Sequence, residues 1–353
     1  MLGHVPLGLT RKPVPGSGFR IRNPEPLSRN HFRHDKHCDG LEGNEALESK
    51  GAQTHVHDPR NDAVLVYVDG KLVPRDEAVV SVFDSGFVLG DGVWEGFRLV
   101  NGRIAFADAH LQRLLDGAKS IELDIGRTKA QLLAALHETC TANAMQDGVH
   151  IRMMVTRGPK HTPNQDPRNV VGPATLVIVA EHKLPDPAVK QRGMTLFTSV
   201  FRCSAPDVFD LRLNSHSRLN LIQALLQAIK AGANEALMLD PHGFVASCDS
   251  TNFFIVRNGR LRSSTGRYNF CGITRANVLK LSREAGIPTA EEDFTLAEVY
   301  VADEAFVTGT FGGVTPVSMI DGRSIGATLP GPVTQRLSSL YGALLADEGA
   351  TRA

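Results

Sequence analysis

The tripeptide Gly272-Ile273-Thr274 stands immediately ahead of an apolar-periodic stretch, which predicts that its amides project from a helix N-terminus. Unpaired N–H groups and the helix dipole favour an anion at such a place, a phosphate above all. By itself the tripeptide is more simply an ordinary helix N-cap. No GxGxxG or Walker-type loop accompanies it, which argues against a nucleotide as the carrier of that anion. His216 and Ser217 suggest a hydrolytic pair, but adjacent residues on one helix or strand do not face each other. His31, His34, His37 and Cys38 are ligand-type residues without a second ligand pair, so no metal is expected there. Cys38, Cys140, Cys203, Cys248 and Cys271 are dispersed with no CxxC spacing, as in a reduced cytoplasmic protein.

The elements that must position this chemistry follow from pattern. The chain has 353 residues, 42% of them hydrophobic, enough for two domains with cores of their own. Its 38 basic and 38 acidic residues balance, which argues against a dedicated nucleic-acid or anionic-membrane surface. No apolar run approaches the roughly 20 residues a bilayer-spanning helix needs. Residues 1–60 are rich in His, Pro, Arg, Asn and Gly, with few periodic apolar positions, and predict a disordered extension. Seven acidic residues and the lack of an apolar h-region make a targeting peptide a poor reading of that stretch. From Ala63 onward, Asp69-Gly70 and Asn101-Gly102 between apolar runs predict two hairpins. Helices are expected over Ala107–Ile121, Thr128–Ala144, Leu219 to about Gly232, Thr274–Ala285 and Pro332–Leu345. Strands are expected at His150–Thr156, Ala174–Ala180, Met194–Phe201, Glu235–Leu239 and Phe253–Val256. The third of these helices is marked by Leu219, Ile222, Leu225, Leu226 and Ile229.

Four segments in fixed order carry a family likeness: FDSGFVLGDGVWEGFRLVNGRIAFADAHLQRL (83–114), HSRLNLIQALLQAIKAGANEALMLD (216–240), CGITRANV (271–278) and VTGTFGGVTPV (307–317). They resemble the class IV aminotransferases, the family of branched-chain and D-amino-acid transaminases and aminodeoxychorismate lyase, from about Val64 to about Tyr341. The resemblance implies an α/β protein of the pyridoxal-phosphate (PLP) fold type IV. Its parts would be a small α+β domain (61–181), a linker (182–192), a larger PLP-binding α/β pseudo-barrel domain (193–346) and a tail (347–353). It also implies an amino acid and a 2-oxo acid as substrates, and a homodimer with the active site near the subunit boundary.

The resemblance assigns roles residue by residue. Gly272, Ile273 and Thr274 would bind the PLP phosphate together with Arg113 of His110-Leu111-Gln112-Arg113-Leu114 and Thr310 of Thr308-Gly309-Thr310. Arg98 would approach the substrate carboxylate, or else be a strand arginine facing solvent. The family's catalytic lysine, which holds PLP as a Schiff base and moves the substrate proton, aligns with Asn214, or with Leu213 in one subgroup. No lysine occurs between Asp210 and Gln227, and Lys190 and Lys230 are the nearest in sequence. The glutamate that faces the pyridine nitrogen is replaced by Ser247. Lys160, in a polar loop near the expected active-site mouth, is a substitute amine or an exposed loop lysine. Two readings follow. One is a PLP-dependent transaminase; the other is a non-catalytic or atypical homologue that binds PLP or another phosphoester without a Schiff base.

Overall fold

Two turns with left-handed backbone set the register of the first sheet. Asp69 and Gly70 have φ of 49° and 91°, and Asn101 and Gly102 have 51° and 78°. Successive positive φ values match the twist of antiparallel strands, and Asn, Asp and Gly tolerate them best. In the computed structural model, which describes residues 51–348, these turns join β1 (Leu65–Val68) to β2 (Lys71–Pro74) and β3 (Gly92–Val100) to β4 (Arg103–Ile104). With β5 (Val149–Thr156) and β6 (Thr175–His182) they form an antiparallel sheet of order β2-β1-β6-β5-β3-β4. The short helix α1 (Ser85–Leu89) precedes β3, and α2 (Ala107–Ser120) and α3 (Lys129–Ala142) cover one face of the sheet. A capping box from Thr128 and Gln131 starts α3. Leu111, Leu114, Leu132 and Leu136 pack there against Phe97, Leu99, Ile151, Met153 and Ile178. The period-2 alternation sends Trp94, Gly96, Arg98, His150 and Arg152 to the opposite face.

The chain then passes through α4 (Pro187–Arg192) into a nine-stranded sheet. The stretch read as a linker is thus half helix, started by Asp186, whose side chain accepts from the Ala188 amide. The strands are β7 (Met194–Thr198), β8 (Glu235–Leu239), β9 (Val245–Cys248), β10 (Asn252–Arg257), β11 (Arg260–Ser263), β12 (Thr289–Glu291), β13 (Glu304–Gly309), β14 (Gly313–Ile320) and β15 (Arg323–Ser324). Their order is β12-β11-β10-β13-β14-β7-β8-β9, with β15 on β14. The sheet curls, because its last strand β9 runs through a tight turn into β10, with the Cys248 amide donating to the Thr251 carbonyl at 2.9 Å. Helices α5 (Pro206–Phe209), α6 (Leu219–Lys230), α7 (Ile273–Glu284), α8 (Leu296–Tyr300) and α9 (Pro332–Glu348) complete the fold. Leu337 of α9 is buried with Val333 and Leu340 beside it, as the pattern predicts.

The apolar residues that mark α6 lie mostly on its outer side: Leu219 is 68% exposed, Ile222, Leu226 and Ile229 are exposed too, and the buried residues are Ala224 and Ala228. Small alanines let α6 sit close on its strands, while the large side chains remain outside. Residues 51–60 are ordered rather than part of a disordered extension, since Ala52 is buried beside Met194 and Leu196. The rest of that extension, with His31, His34, His37 and Cys38, lies outside the described residues, as do residues 349–353 of the tail.

Candidate active site

Helix α7 starts from Gly272 in an extended conformation, and no side chain caps it. Its first amides are therefore available to an anion, and the helix dipole adds to the attraction. Asn252 fixes this end: its Oδ1 accepts from the Gly272 amide at 3.2 Å and its Nδ2 donates to the Phe270 carbonyl at 2.6 Å. A Cβ on Gly272 would lie 2.4 Å from Asn252 Oδ1, so only glycine permits that bracket. Across the ladder Asn252 pairs with Thr308, whose Oγ1 is buried without a hydrogen-bond partner. Thr310 follows in the turn from β13 to β14, and Gly309 pairs with Gly313 to close it. Thr274 turns its hydroxyl to Tyr341, 3.3 Å away.

Arg113 of α2 approaches the same place. One Nη donates to the Cys271 carbonyl at 3.1 Å, and the guanidinium lies 4.3 Å from the centre of the Phe270 ring. Its Nε and second Nη form a fork on the fully buried Glu95, both at 2.7 Å, and Glu95 also meets His110 Nδ1 at 2.7 Å. Burial would raise the Glu95 pKa, but the bonds from Arg113 and His110 outweigh it and hold the carboxyl below its usual range. An uncapped helix start, a buried unpartnered hydroxyl and a rigidly held guanidinium together suit a phosphate.

The amine end does not match. Asn214 is buried and fastened to β3: its Nδ2 donates to the Trp94 carbonyl at 2.6 Å, and the Trp94 amide donates to the Asn214 carbonyl at 2.9 Å. Its Oδ1 accepts from Arg218. An amide cannot form the covalent link that a lysine makes to an aldehyde. Leu213, the alternative position, packs on the first core. The residues therefore fit the phosphate end of PLP and supply no nucleophile at position 214. Ser247 donates its hydroxyl to the Thr251 carbonyl at 2.8 Å and receives Asn252 Nδ2 at 3.4 Å, so it touches the bracket that holds Gly272.

Other sequence expectations resolve individually. Lys160 is not an exposed loop lysine: it is buried, and its amine donates to the Asp166 carbonyl of its own loop at 3.1 Å. Arg98 is not on a solvent face, since its Nε is buried without a partner and burial holds its pKa below the ordinary value. His216 and Ser217 do not pair, and Ser217 donates to the Gly90 carbonyl at 3.2 Å instead.

Sequence reasoning missed a wall of cations on the sheet face behind Asn214. Arg152 lies 3.7 Å from the centre of the Trp94 ring, Arg218 lies 5.5 Å from it, and Lys183 lies 5.0 Å from that of Phe311. His150, opposite Arg98, is driven down to about 3 by burial and then by Lys183, Arg152 and Arg98. Among the described residues, Arg98, Arg152, Lys183 and Arg218 form no ion pair with a carboxylate; Glu95 is already engaged by Arg113 and His110. The available signal was the alternation His150-Ile151-Arg152-Met153, which sends both basic residues to one face. Lys190 was also underrated. Its amine donates to the Gly312 and Val314 carbonyls beside the Thr310 turn, and burial, aided by Arg98, lowers its pKa to about 8.

A family model described as amino-transferase class IV matches residues 92–320. The chain belongs to the class IV aminotransferases. It is 38% identical over 283 residues to the branched-chain-amino-acid aminotransferase-like protein 2 of Arabidopsis thaliana, a match covering 80% of this chain and 50% of that protein. It thus spans about half the length of that plant relative. It is 34% identical over 286 residues to the branched-chain-amino-acid aminotransferase of Pseudomonas aeruginosa, covering 78% of this chain and 91% of that one. Among solved structures, the branched-chain aminotransferase of the archaeon Thermoproteus uzoniensis with norvaline superposes with a TM-score of 0.73 at 32% identity, over 81% of this chain and 96% of that one. The α/β architecture is that of this class IV aminotransferase fold, PLP fold type IV.

Proposed function

We propose that this class IV aminotransferase uses PLP to move an amino group between an amino acid, of the branched-chain or D-amino-acid type, and a 2-oxo acid. The observation that carries this reading is the phosphate cup: Arg113 and the uncapped start of α7 converge beside the unpartnered Thr308 hydroxyl. When bound, PLP supplies the aldehyde that exchanges for an amine and the ring that draws off electrons. In this reading Arg113, Gly272, Ile273, Thr274 and Thr310 hold the phosphate, and Ser247 lies at the ring. Arg98, with its unpartnered Nε, takes a substrate carboxylate. Lys190 is the buried amine best suited to move a proton, since its lowered pKa keeps part of it neutral near neutral pH.

A second reading is binding without turnover, and the hydrogen-bonded Asn214 amide favours it. Incubating the protein with PLP, a series of L- and D-amino acids and 2-oxoglutarate or pyruvate separates the two. Amino transfer at a rate typical of transaminases supports the first reading; PLP binding with no amino product supports the second. Two further features belong to this proposal. The protein is a homodimer, supported by the exposed apolar side chains of α1 and α6, Phe87, Leu89, Leu219 and Ile222 among them. It works in the cytoplasm, in keeping with Cys140, Cys203, Cys248 and Cys271, which are all free thiols.

A further inference from the structure

Arg218 is the unexplained charge of this site. Its Nε donates to the Ser215 carbonyl at 3.1 Å, and one Nη donates to Asn214 Oδ1. Its guanidinium lies 5.8 Å from the centre of the Phe270 ring, the same ring that Arg113 covers at 4.3 Å. Two guanidinium groups therefore flank one aromatic ring at the phosphate cup, and only Arg113 has a carboxylate. A largely buried cation without a counter-ion is costly unless a ligand supplies the negative charge. Burial and the nearby Arg152 lower its pKa to about 10, yet it stays charged at neutral pH.

We propose that Arg218, held in place by Asn214, is an ionic anchor for the non-phosphate end of the phosphopyridine cofactor, standing where the family uses a covalent lysine. This rests on the reading of the cup as a PLP site. The partner it suits is an anionic oxygen, such as the ring phenolate of PLP, and Arg152, over the same Trp94 ring, adds a second positive charge. A ligand that carries an ammonium close to that oxygen is repelled by the same guanidinium. The site therefore prefers the aldehyde form, PLP, over the amine form, pyridoxamine phosphate.

The test is a binding titration of the full chain with each cofactor form, followed by borohydride reduction and peptide mapping. PLP is expected to bind without a pyridoxyl group being fixed to any lysine. Arg218→Met is expected to weaken PLP about tenfold or more and to erase the preference over pyridoxamine phosphate. Arg218→Lys should recover most of both. Thermal unfolding of each variant identifies a folding failure; should Arg218→Met not fold, the cofactor preference of the wild type and of Arg218→Lys decides. A pyridoxyl group fixed to Lys190 or another lysine overturns the proposal and leaves the PLP reading standing. So does an Arg218→Met variant that binds both forms as the wild type does, or a wild type that prefers the amine form. Failure of both forms to bind the wild type removes the PLP reading itself, which is a different result.

Discussion

At the scale of single residues, the chemistry turns on what replaces a lysine amine. Asn214 spends its amide on the Trp94 carbonyl and on Arg218, so it serves as a clamp between β3 and the approach to α6. Asn214→Lys should therefore yield a borohydride-fixed pyridoxyl group at position 214, detected by peptide mass; an unmodified lysine there would put the aldehyde elsewhere. Glu95 is the second decisive residue, since it alone holds both Arg113 and His110. Its folded pKa lies below the ordinary 4.5, because the bonds from Arg113 and His110 outweigh the effect of burial. The stability it contributes is then complete above the ordinary value and is lost as pH falls through the lowered one. Glu95→Gln leaves Arg113 without its counter-ion and should cost about 3 kcal/mol at neutral pH. It should also remove part of the acid limb of stability, as urea unfolding across the acid range would reveal. Equal losses for wild type and variant on acidification would mean that Glu95 is not held as described.

At the scale of elements, the corner where β8, β9 and β10 meet couples the start of α7 to a buried acid pair. Glu235 Oε2 receives the Thr251 hydroxyl at 2.6 Å, its Oε1 is buried without a partner, and Asp249 receives the Ala236 amide at 2.7 Å. Burial first, and then the neighbouring Asp249, raise the Glu235 pKa; burial raises that of Asp249 too. The folded corner therefore keeps a proton that the unfolded chain releases, so stability falls as pH rises from the ordinary glutamate value of 4.5 through neutrality. Asp249→Asn removes one of the two charges and should make that decline shallower in thermal unfolding; an unchanged slope would leave burial of Glu235 as the whole cause. Elements of this kind were only partly legible in the sequence. The two left-handed hairpins, α2, α3, α7 and α9 could be read because turn chemistry and apolar period are local properties. The helix start at Gly272-Ile273-Thr274 was legible for the same reason, being contiguous. The Trp94–Asn214 clamp was not, since it joins residues 120 positions apart, and neither sequence neighbourhood encodes the other.

At the scale of the whole molecule, α6 shows why an apolar periodicity does not say which surface it will meet. Its period was read correctly, yet its large side chains face outward and alanines face the strands. The exposed stripe of Leu219, Ile222, Leu226 and Ile229 begins one residue after Arg218, and α1 adjoins its root through the Ser217–Gly90 hydrogen bond. On α1 and the residues before it, Phe83, Phe87 and Leu89 are exposed as well, Phe87 by 72%. Exposed apolar side chains grouped on two adjoining elements point to an association site rather than chance exposure. In the homodimer proposed above, this surface meets its own copy in an isologous contact. Because the stripe begins one residue after Arg218, such a pairing would border that guanidinium and link assembly to ligand retention. The double variant Phe87→Glu with Leu226→Glu places four carboxylates in that symmetric contact, and light scattering should then find a monomer with weakened PLP binding. A dimer that persists through both substitutions would mean that the copies meet elsewhere and that the α1–α6 surface serves a different partner.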